Sequence, residues 1–238
     1  MSAIQHLSED ELSERMSTLV FWYWLYKGMS HYFASEYQEA VFCLNKAGGY
    51  SWSAPAHIHL LDYHFFSAMA LMAAETELNV ELRQKLELHQ MHIQQWAELN
   101  PTNFADKAAI FQAELWRFDC EIFKAMTAFE AVVASYKNKD FIHYKALAFE
   151  RAGRLAVEHG QLTAAAAYLQ QAVICYQQWS AQSKVRQLEK FCIDSGIAEL
   201  PASSAPLSIS ESASGRYLSN LLRASRAITE QVEYPKLL

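Results

Sequence analysis

The sequence is short of the residues that break regular structure: its 238 residues include only seven glycines and five prolines. This is roughly half the usual share of these two residues. Because Gly and Pro mark most turns, their scarcity excludes a β-sandwich or barrel, which needs a turn about every 8–12 residues. Hydrophobic residues make up 52% of the chain, which excludes wholesale disorder. We therefore predict an all-α protein with long helices.

The sequence also lacks the charge pattern of a nucleic-acid-binding protein and the apolar runs of a membrane protein. Its net charge is −6 and its pI is about 5.8, whereas nucleic-acid-binding domains usually have a basic face. The most apolar run, residues 19–26, is far shorter than the ~20 residues that span a bilayer. Residues 1–14 are polar and acidic, unlike a signal peptide. We predict a cytoplasmic protein with no nucleic-acid partner and no membrane insertion.

Motifs for catalysis or cofactor binding are missing as well. The sequence has no glycine-rich phosphate loop, no HExxH zinc motif and no GxSxG elbow. Its four cysteines form no CxxC pair and each lies in an apolar stretch, so we interpret them as reduced thiols. We predict that this chain is not an enzyme and binds no cofactor.

Nine histidines are the one feature that suggests a metal site. His89 and His92 are three residues apart and share a helix face, and Glu87 is close by. A metal between the helices of the second hairpin is conceivable, with His57, His59 and His64 on the facing helix. Hydrogen-bonded histidines on a helix pair are the simpler interpretation, and we predict no metal.

A pattern of small and large residues recurs along the chain. Ala40 and Ala165 each precede a leucine by four residues, and Ala125 precedes a phenylalanine by four. This spacing is typical of the second helix of a tetratricopeptide repeat. In the first helices of the first and last of these units, an aromatic residue and a small residue precede the alanine by 16 and 12 positions, whereas before Ala125 both positions hold alanine. The residues predicted to pack the paired helices are Trp24, Gly28, Ala40, Ala113, Ala125, Phe129, Phe149, Gly153, Gly160 and Ala165.

Short polar turns divide residues 1–198 into about four long helical hairpins. They lie at residues 34–36, 75–77, 100–102, 119–121, 137–140 and 159–161. Four hairpins give eight helices, and such hairpins bury their apolar faces by stacking. We therefore predict a right-handed α-α superhelix, the solenoid of tetratricopeptide-like proteins.

Residues 199–215 are rich in Ser and Pro and predict a linker. Residues 216–238 predict a C-terminal helix, which either dimerises through residues 217–236 or packs on the solenoid.

The first helix of each hairpin lines the concave face of such a solenoid. The repeat register places five charged residues there: Lys107, Glu114, Arg117, Glu150 and Arg154. One interpretation is a surface that binds a peptide or a neighbouring domain through charge-assisted hydrogen bonds. The other is an internal Glu–Arg network that fixes the stacking. In the first hairpin the corresponding residues are apolar and suit a partner or an additional upstream helix: Trp22, Leu25, Met29 and Tyr32.

Several stretches together resemble the tetratricopeptide-like region of bacterial multi-domain signalling kinases. They are residues 21–40, 86–104, 113–117, 121–129, 146–160 and 168–189. Residues 217–238 resemble the helix that leads into the GAF domain of that family. Ser180 departs from the family's usual glycine after Trp179, and the linker at 201–215 is longer than in the family.

The resemblance implies a larger parent protein. In that family a serine/threonine-kinase-like domain and a STAND-type AAA ATPase precede the helical region, and a GAF domain with a histidine kinase or diguanylate cyclase follows it. The chain would be a fragment that ends just before the GAF domain. It would act as a non-catalytic regulatory and protein-interaction module between these regions. The alternatives are a small-molecule-sensing helical domain and a free-standing adaptor.

Overall fold

A computed structural model describes residues 16–55, 57–75, 79–136 and 141–197. Within these ranges the chain forms nine α-helices and no strand, which confirms the all-α prediction. None of these helices combines the length and apolarity needed to cross a membrane. The helices are α1 (Ser17–Phe33), α2 (Tyr37–Gly48), α3 (His59–Ala74), α4 (Val80–Leu99), α5 (Pro101–Phe118), α6 (Ile122–Ser135), α7 (Ile142–Glu158), α8 (Leu162–Gln178) and α9 (Gln182–Asp194).

The predicted linker and C-terminal helix lie outside the described residues, and so does the segment 217–236, for which dimerisation and packing on the solenoid are the two alternatives. Residues 1–15 also lie outside them.

The boundary between α4 and α5 shows how the sequence stops one helix and starts the next. The residue before a proline is disfavoured in the α conformation, and α4 ends at Leu99, before Asn100 and Pro101. Pro101 is the first residue of α5, where a missing N–H costs nothing. The Asn100 side chain caps α5 by accepting a hydrogen bond from the Asn103 N–H at 3.3 Å.

The described chain contains one helix more than the eight that four hairpins imply. The additional helix is α9, which a turn around Ser180 separates from α8. Ser180 has a φ of 63°, in the left-handed region that usually calls for glycine. The turn was not predicted, because the hairpin pattern ends at α8 and no second repeat helix follows α9 among the described residues.

The same turn closes five helices. Ser35, Cys120, Gly160, Ser180 and Gly196 all have φ between 59° and 71°. In each case the N–H of the next residue donates to the carbonyl five positions before it, at 2.8–3.0 Å. This is the hydrogen bond of a Schellman motif. Three of the five turns thus place a residue with a side chain in a conformation that favours glycine.

Replacing Ser180 by glycine should stabilise the protein by about 1 kcal/mol. The left-handed conformation costs a residue with a Cβ roughly 1–2 kcal/mol, and the greater freedom of glycine in the unfolded chain offsets part of the gain. Urea unfolding of Ser180→Gly measures the change. Lys190→Gly, at an exposed position in the interior of α9, is the control and should destabilise by about 0.5–1 kcal/mol. A loss of stability in both variants would contradict the prediction.

Helices that are consecutive in sequence pack against each other throughout the described chain. The odd-numbered helices α1, α3, α5 and α7 also contact one another in succession. A large cluster of buried side chains extends from α1 to α7, and a smaller one joins α7, α8 and α9. Helix α7 therefore contributes to both parts of the core.

Two glycines allow the paired helices to approach closely. A Cβ atom at Gly28 of α1 would lie 2.6 Å from Leu44 Cγ of α2, and one at Gly153 of α7 would lie 2.7 Å from Leu169 Cγ of α8. The two contacts are equivalent, since each glycine meets the leucine 16 residues later. Among the other predicted packing residues, Trp24 and Phe149 are half-buried and five are buried: Ala40, Ala113, Ala125, Phe129 and Ala165.

Gly153→Ala should destabilise the protein by about 2 kcal/mol, because the added methyl group overlaps Leu169 and forces α7 and α8 apart. Thermal or urea unfolding measures the loss. Gly49→Ala is the matched control, since φ at Gly49 is −61° and the nearest atom to its added Cβ is 3.5 Å away. The control should change stability by less than about 0.5 kcal/mol. Equal losses in the two variants would argue against the close approach.

Candidate functional site

Glu114 is the centre of a buried ion-pair cluster between α5 and α7. The residue is 1% exposed. Arg151 donates from Nε and Nη2 to its two carboxylate oxygens at 2.5 and 2.9 Å, and Arg117 donates from Nε at 2.8 Å. Burial by itself raises the pKa of Glu114, but the two guanidinium groups outweigh it and hold the pKa at about 2. Two arginines therefore share one permanently charged carboxylate.

Glu150 is the centre of a second cluster, which joins α7 to α8 and α9. It accepts hydrogen bonds from Arg154 Nε at 2.9 Å and from Tyr176 Oη at 2.7 Å. Lys184 Nζ lies 2.8 Å from the same carboxylate. Burial raises the pKa of Glu150, and the charges of Lys184 and Arg154 more than compensate, so that its pKa lies below the usual value. The predicted residues Glu150 and Arg154 are thus neighbours in one network.

Lys107 takes part in a third cluster, nearer the start of α5. Its Nζ donates to Asp62 Oδ1 of α3 at 2.9 Å. Tyr144 of α7 donates to the same oxygen at 2.6 Å, and Lys107 Nζ lies 4.4 Å from the Tyr144 ring centroid. Lys107 is buried. This cluster joins three odd-numbered helices, whereas Glu114 and Glu150 join α5 to α7 and α7 to α9.

Of the four predicted apolar residues of α1, Leu25 is fully buried, and the other three lie in different surroundings. Tyr32 is buried against Phe66, with ring centroids 5.5 Å apart. Trp22 is half-buried and packs on the His59 ring at 5.3 Å. Met29 lines a cavity of about 710 Å³ between the end of α1 and the turn from α8 to α9. The structure therefore does not bring these three side chains together into one patch.

The cavity beside Met29 exists because the first and last described helices touch. Phe33 packs on Trp179 with ring centroids 5.3 Å apart. Lys184 Nζ donates to the Phe33 carbonyl at 2.9 Å, and Gln187 Nε2 donates to the Ala34 carbonyl at 2.9 Å. These contacts connect residues about 150 positions apart, and the repeat spacing gave no indication of them.

The sequence also did not reveal all the side chains that form ion pairs with the predicted charged residues. Arg117 with Glu114 and Arg154 with Glu150 are three and four residues apart, so helical spacing predicts them. Tertiary packing alone brings Arg151 to Glu114 and Lys184 to Glu150. It also brings Asp62 to Lys107. One signal was available for Arg151, because three of its four neighbours three and four residues away on α7 are apolar and buried, which places this charge in the interior.

Three histidines meet between α3 and α4. His64 and His89 approach at 2.9 Å between their Nδ1 atoms, and the His92 ring stacks on His64 at 4.1 Å. Glu87 is exposed and His57 precedes α3. No group of three metal-binding side chains among the described residues has the arrangement of a metal site. Burial and the neighbouring histidines lower the pKa of His64 to about 3 and that of His89 to about 4.

The histidine cluster should make the protein less stable in mild acid. In the unfolded chain these residues bind protons below pH 6.5, but in the folded chain only near pH 3 and 4. Between these limits the unfolded state binds more protons, so stability falls as the pH falls. The double variant His64→Gln/His89→Gln should lose much less stability between about pH 7 and pH 5.

Urea unfolding at the two pH values measures the difference between the double variant and the parent protein. Glu114 cancels from the comparison, because both proteins contain it with the same partners and its pKa is about 2 in the folded state and 4.5 in the unfolded state. The replacement of exposed His159 by glutamine serves as control and should leave the pH dependence unchanged. Parallel losses in the parent and the double variant would contradict the assignment to His64 and His89.

Comparison with known proteins gives no family assignment. None of the protein-family models, curated proteins or solved structures that were compared matches the chain. The resemblance to the helical region of signalling kinases therefore stays a prediction, and the function has to be inferred from the geometry of the described residues.

Proposed function

We propose that the helical chain is a tetratricopeptide-like, right-handed superhelix that acts as a non-catalytic regulatory and protein-interaction module. The observation that carries this proposal is the repetition of one contact. Gly28 meets Leu44, and Gly153 meets Leu169 at the same spacing. The same left-handed turn precedes the second helix in both pairs, at Ser35 and Gly160. In the pair α5–α6, Ala113, Cys120 and Phe129 occupy the corresponding positions.

The charge network supports a role in coupling. Helix α7 contacts α5 through Glu114 and Arg151, and it contacts α8 and α9 through Glu150. Ion pairs of this kind depend on close geometry, because a buried charge that loses its partner is strongly unfavourable. A displacement of one hairpin is therefore transmitted to its neighbours rather than absorbed locally. This suits a module that links an upstream ATPase or kinase-like region to a downstream sensor and output domain in a cytoplasmic protein.

The genomic reading frame around the segment tests the coupling role. We expect kinase-like and ATPase sequence upstream of residue 1 and GAF sequence downstream of residue 238. A stop codon directly after Leu238 and a start codon at Met1 would contradict the role between two domains. It would favour the free-standing adaptor instead.

A small-molecule sensor is the second candidate, and the cavity of about 710 Å³ favours it. Its volume lies in the usual range of ligand sites, about 300–1,000 Å³. Aromatic side chains line it together with a few polar groups: Tyr26, Phe33, Trp179, Lys184 and Gln187. A thermal-shift screen separates the candidates, because a ligand of this cavity would bridge α1 and α9 and raise the melting temperature.

A further inference from the structure

The cavity of about 710 Å³ beside Met29, which we call the α1–α9 cavity, lies where the first and last described helices meet. One wall comes from the second half of α1 and includes Tyr26, Met29 and Phe33. The opposite wall comes from the turn after α8 and from the start of α9, and it includes Trp179 and Gln187. A molecule bound here would contact both ends of the described helical chain at once.

Lys184 is the one charged side chain among the described residues that line the α1–α9 cavity, and it has no donor left for a ligand. Its ammonium group carries three N–H donors. They face three acceptors, the Phe33 carbonyl at 2.9 Å, Gln187 Oε1 at 2.8 Å and Glu150 Oε1 at 2.8 Å. An anion in the cavity would therefore find no free cation, and a cation would find no carboxylate in the lining.

The start of α9 adds little that would hold an anion. A helix N-terminus attracts anions through backbone amides that have no partner. The Gln182 amide donates to the Ser180 carbonyl at 3.0 Å. The Lys184 and Val185 amides donate to the Ala181 carbonyl at 2.9 and 3.1 Å. Because most of these donors are used and a charged group loses its hydration at high cost, the cavity favours an uncharged ligand.

Three aromatic rings line the α1–α9 cavity, and two of them are largely uncovered. Tyr26 is 51% exposed and Trp179 is 40% exposed, while Phe33 packs on Trp179 with ring centroids 5.3 Å apart. Flat aromatic surfaces pack well on one another, and the thioether of Met29 adapts to the shape of what it contacts. The ligand that covers these rings best is therefore planar and aromatic.

A few neutral polar side chains of the α1–α9 cavity can orient such a ligand. Ser30 of α1 and Gln182 and Ser183 of α9 line the cavity, and all three are exposed. Each can both donate and accept a hydrogen bond. They suit a ring that carries an amide, a hydroxyl group or a ring nitrogen at its edge.

We propose that the α1–α9 cavity binds an uncharged, planar aromatic small molecule with hydrogen-bonding groups at its edge. The ring packs against Tyr26 and Trp179, and the polar edge meets Ser30, Gln182 and Ser183. The proposal rests on the small-molecule-sensing candidate and names the chemistry of its ligand. Because the ligand touches α1 and α9 together, it strengthens the contact between these two helices, and this strengthened contact is the response of the sensor.

Four probes of similar size test the charge and the planarity of the ligand separately. They are the amide, the carboxylate and the aminomethyl cation of naphthalene, and the amide of decahydronaphthalene, which is neutral but not flat. Calorimetric titration of the full chain at neutral pH gives their affinities. We expect the flat amide to bind about tenfold or more tightly than either ion, because neither ion finds a partner. It should bind about fivefold more tightly than the decahydro amide, which cannot stack.

Met29→Glu places a carboxylate in the α1–α9 cavity and should reverse the preference, so that the cation binds best and the flat amide binds several-fold more weakly. Met91→Glu in α4 is the matched control, since Met91 is exposed and lies outside the lining of the cavity. It should bind all four probes like the parent protein. Circular dichroism checks the fold, and if Met29→Glu unfolds, Ser183→Glu replaces it, because an acidic residue is favourable in the first turn of a helix.

Four results would overturn the proposal. They are an ion that binds the parent protein as tightly as the flat amide, equal affinity for the flat and the decahydro amide, no measurable binding of the flat amide, and the same preference in Met29→Glu as in Met91→Glu. The first of these, if it depends on Met29, would leave the sensing role in place and assign it a charged ligand. The third would leave that role to the thermal-shift screen alone.

Discussion

The burial of Glu114 and Glu150 is the constraint on which the packing of α5, α7, α8 and α9 depends. A carboxylate removed from water is costly unless charged and hydrogen-bonding groups replace its hydration. Arg117 and Arg151 do so for Glu114, and Arg154, Lys184 and Tyr176 do so for Glu150. Because these donors come from four helices, the helices are held within hydrogen-bonding distance of two points. Apolar packing alone would tolerate small sliding movements that these pairs do not.

The same arrangement places two cations beside each buried carboxylate. Arg117 and Arg151 contact Glu114, and Arg154 and Lys184 contact Glu150. The second cation distinguishes these two clusters from the cluster around Asp62, where one lysine and one tyrosine hydroxyl complete a single acceptor.

Much of the helical framework could be predicted from the sequence, because local signals determine it. Asn100 and Pro101 mark a helix boundary through backbone sterics, and Gly28 and Gly153 mark close approaches because no other residue fits there. Helix α9 escaped prediction because the hairpin pattern ends at α8. The charged residues were predicted as a group, but their partners were not. Helical spacing reveals neighbours on one helix, whereas Lys184 reaches Glu150 only after three helices have packed.

The contact between the ends of α1 and α9 also changes how the chain should unfold. In a linear stack of hairpins each terminal unit can fray while the rest stays folded, because it contacts only one neighbour. Lys184 and Gln187 instead bind the carbonyls of Phe33 and Ala34, so detachment of the last helix also exposes the first. Closing such a long loop costs entropy and raises the contact order, which slows folding. The packing of α9 on α1 thus exchanges rapid, stepwise assembly for cooperativity between these two helices.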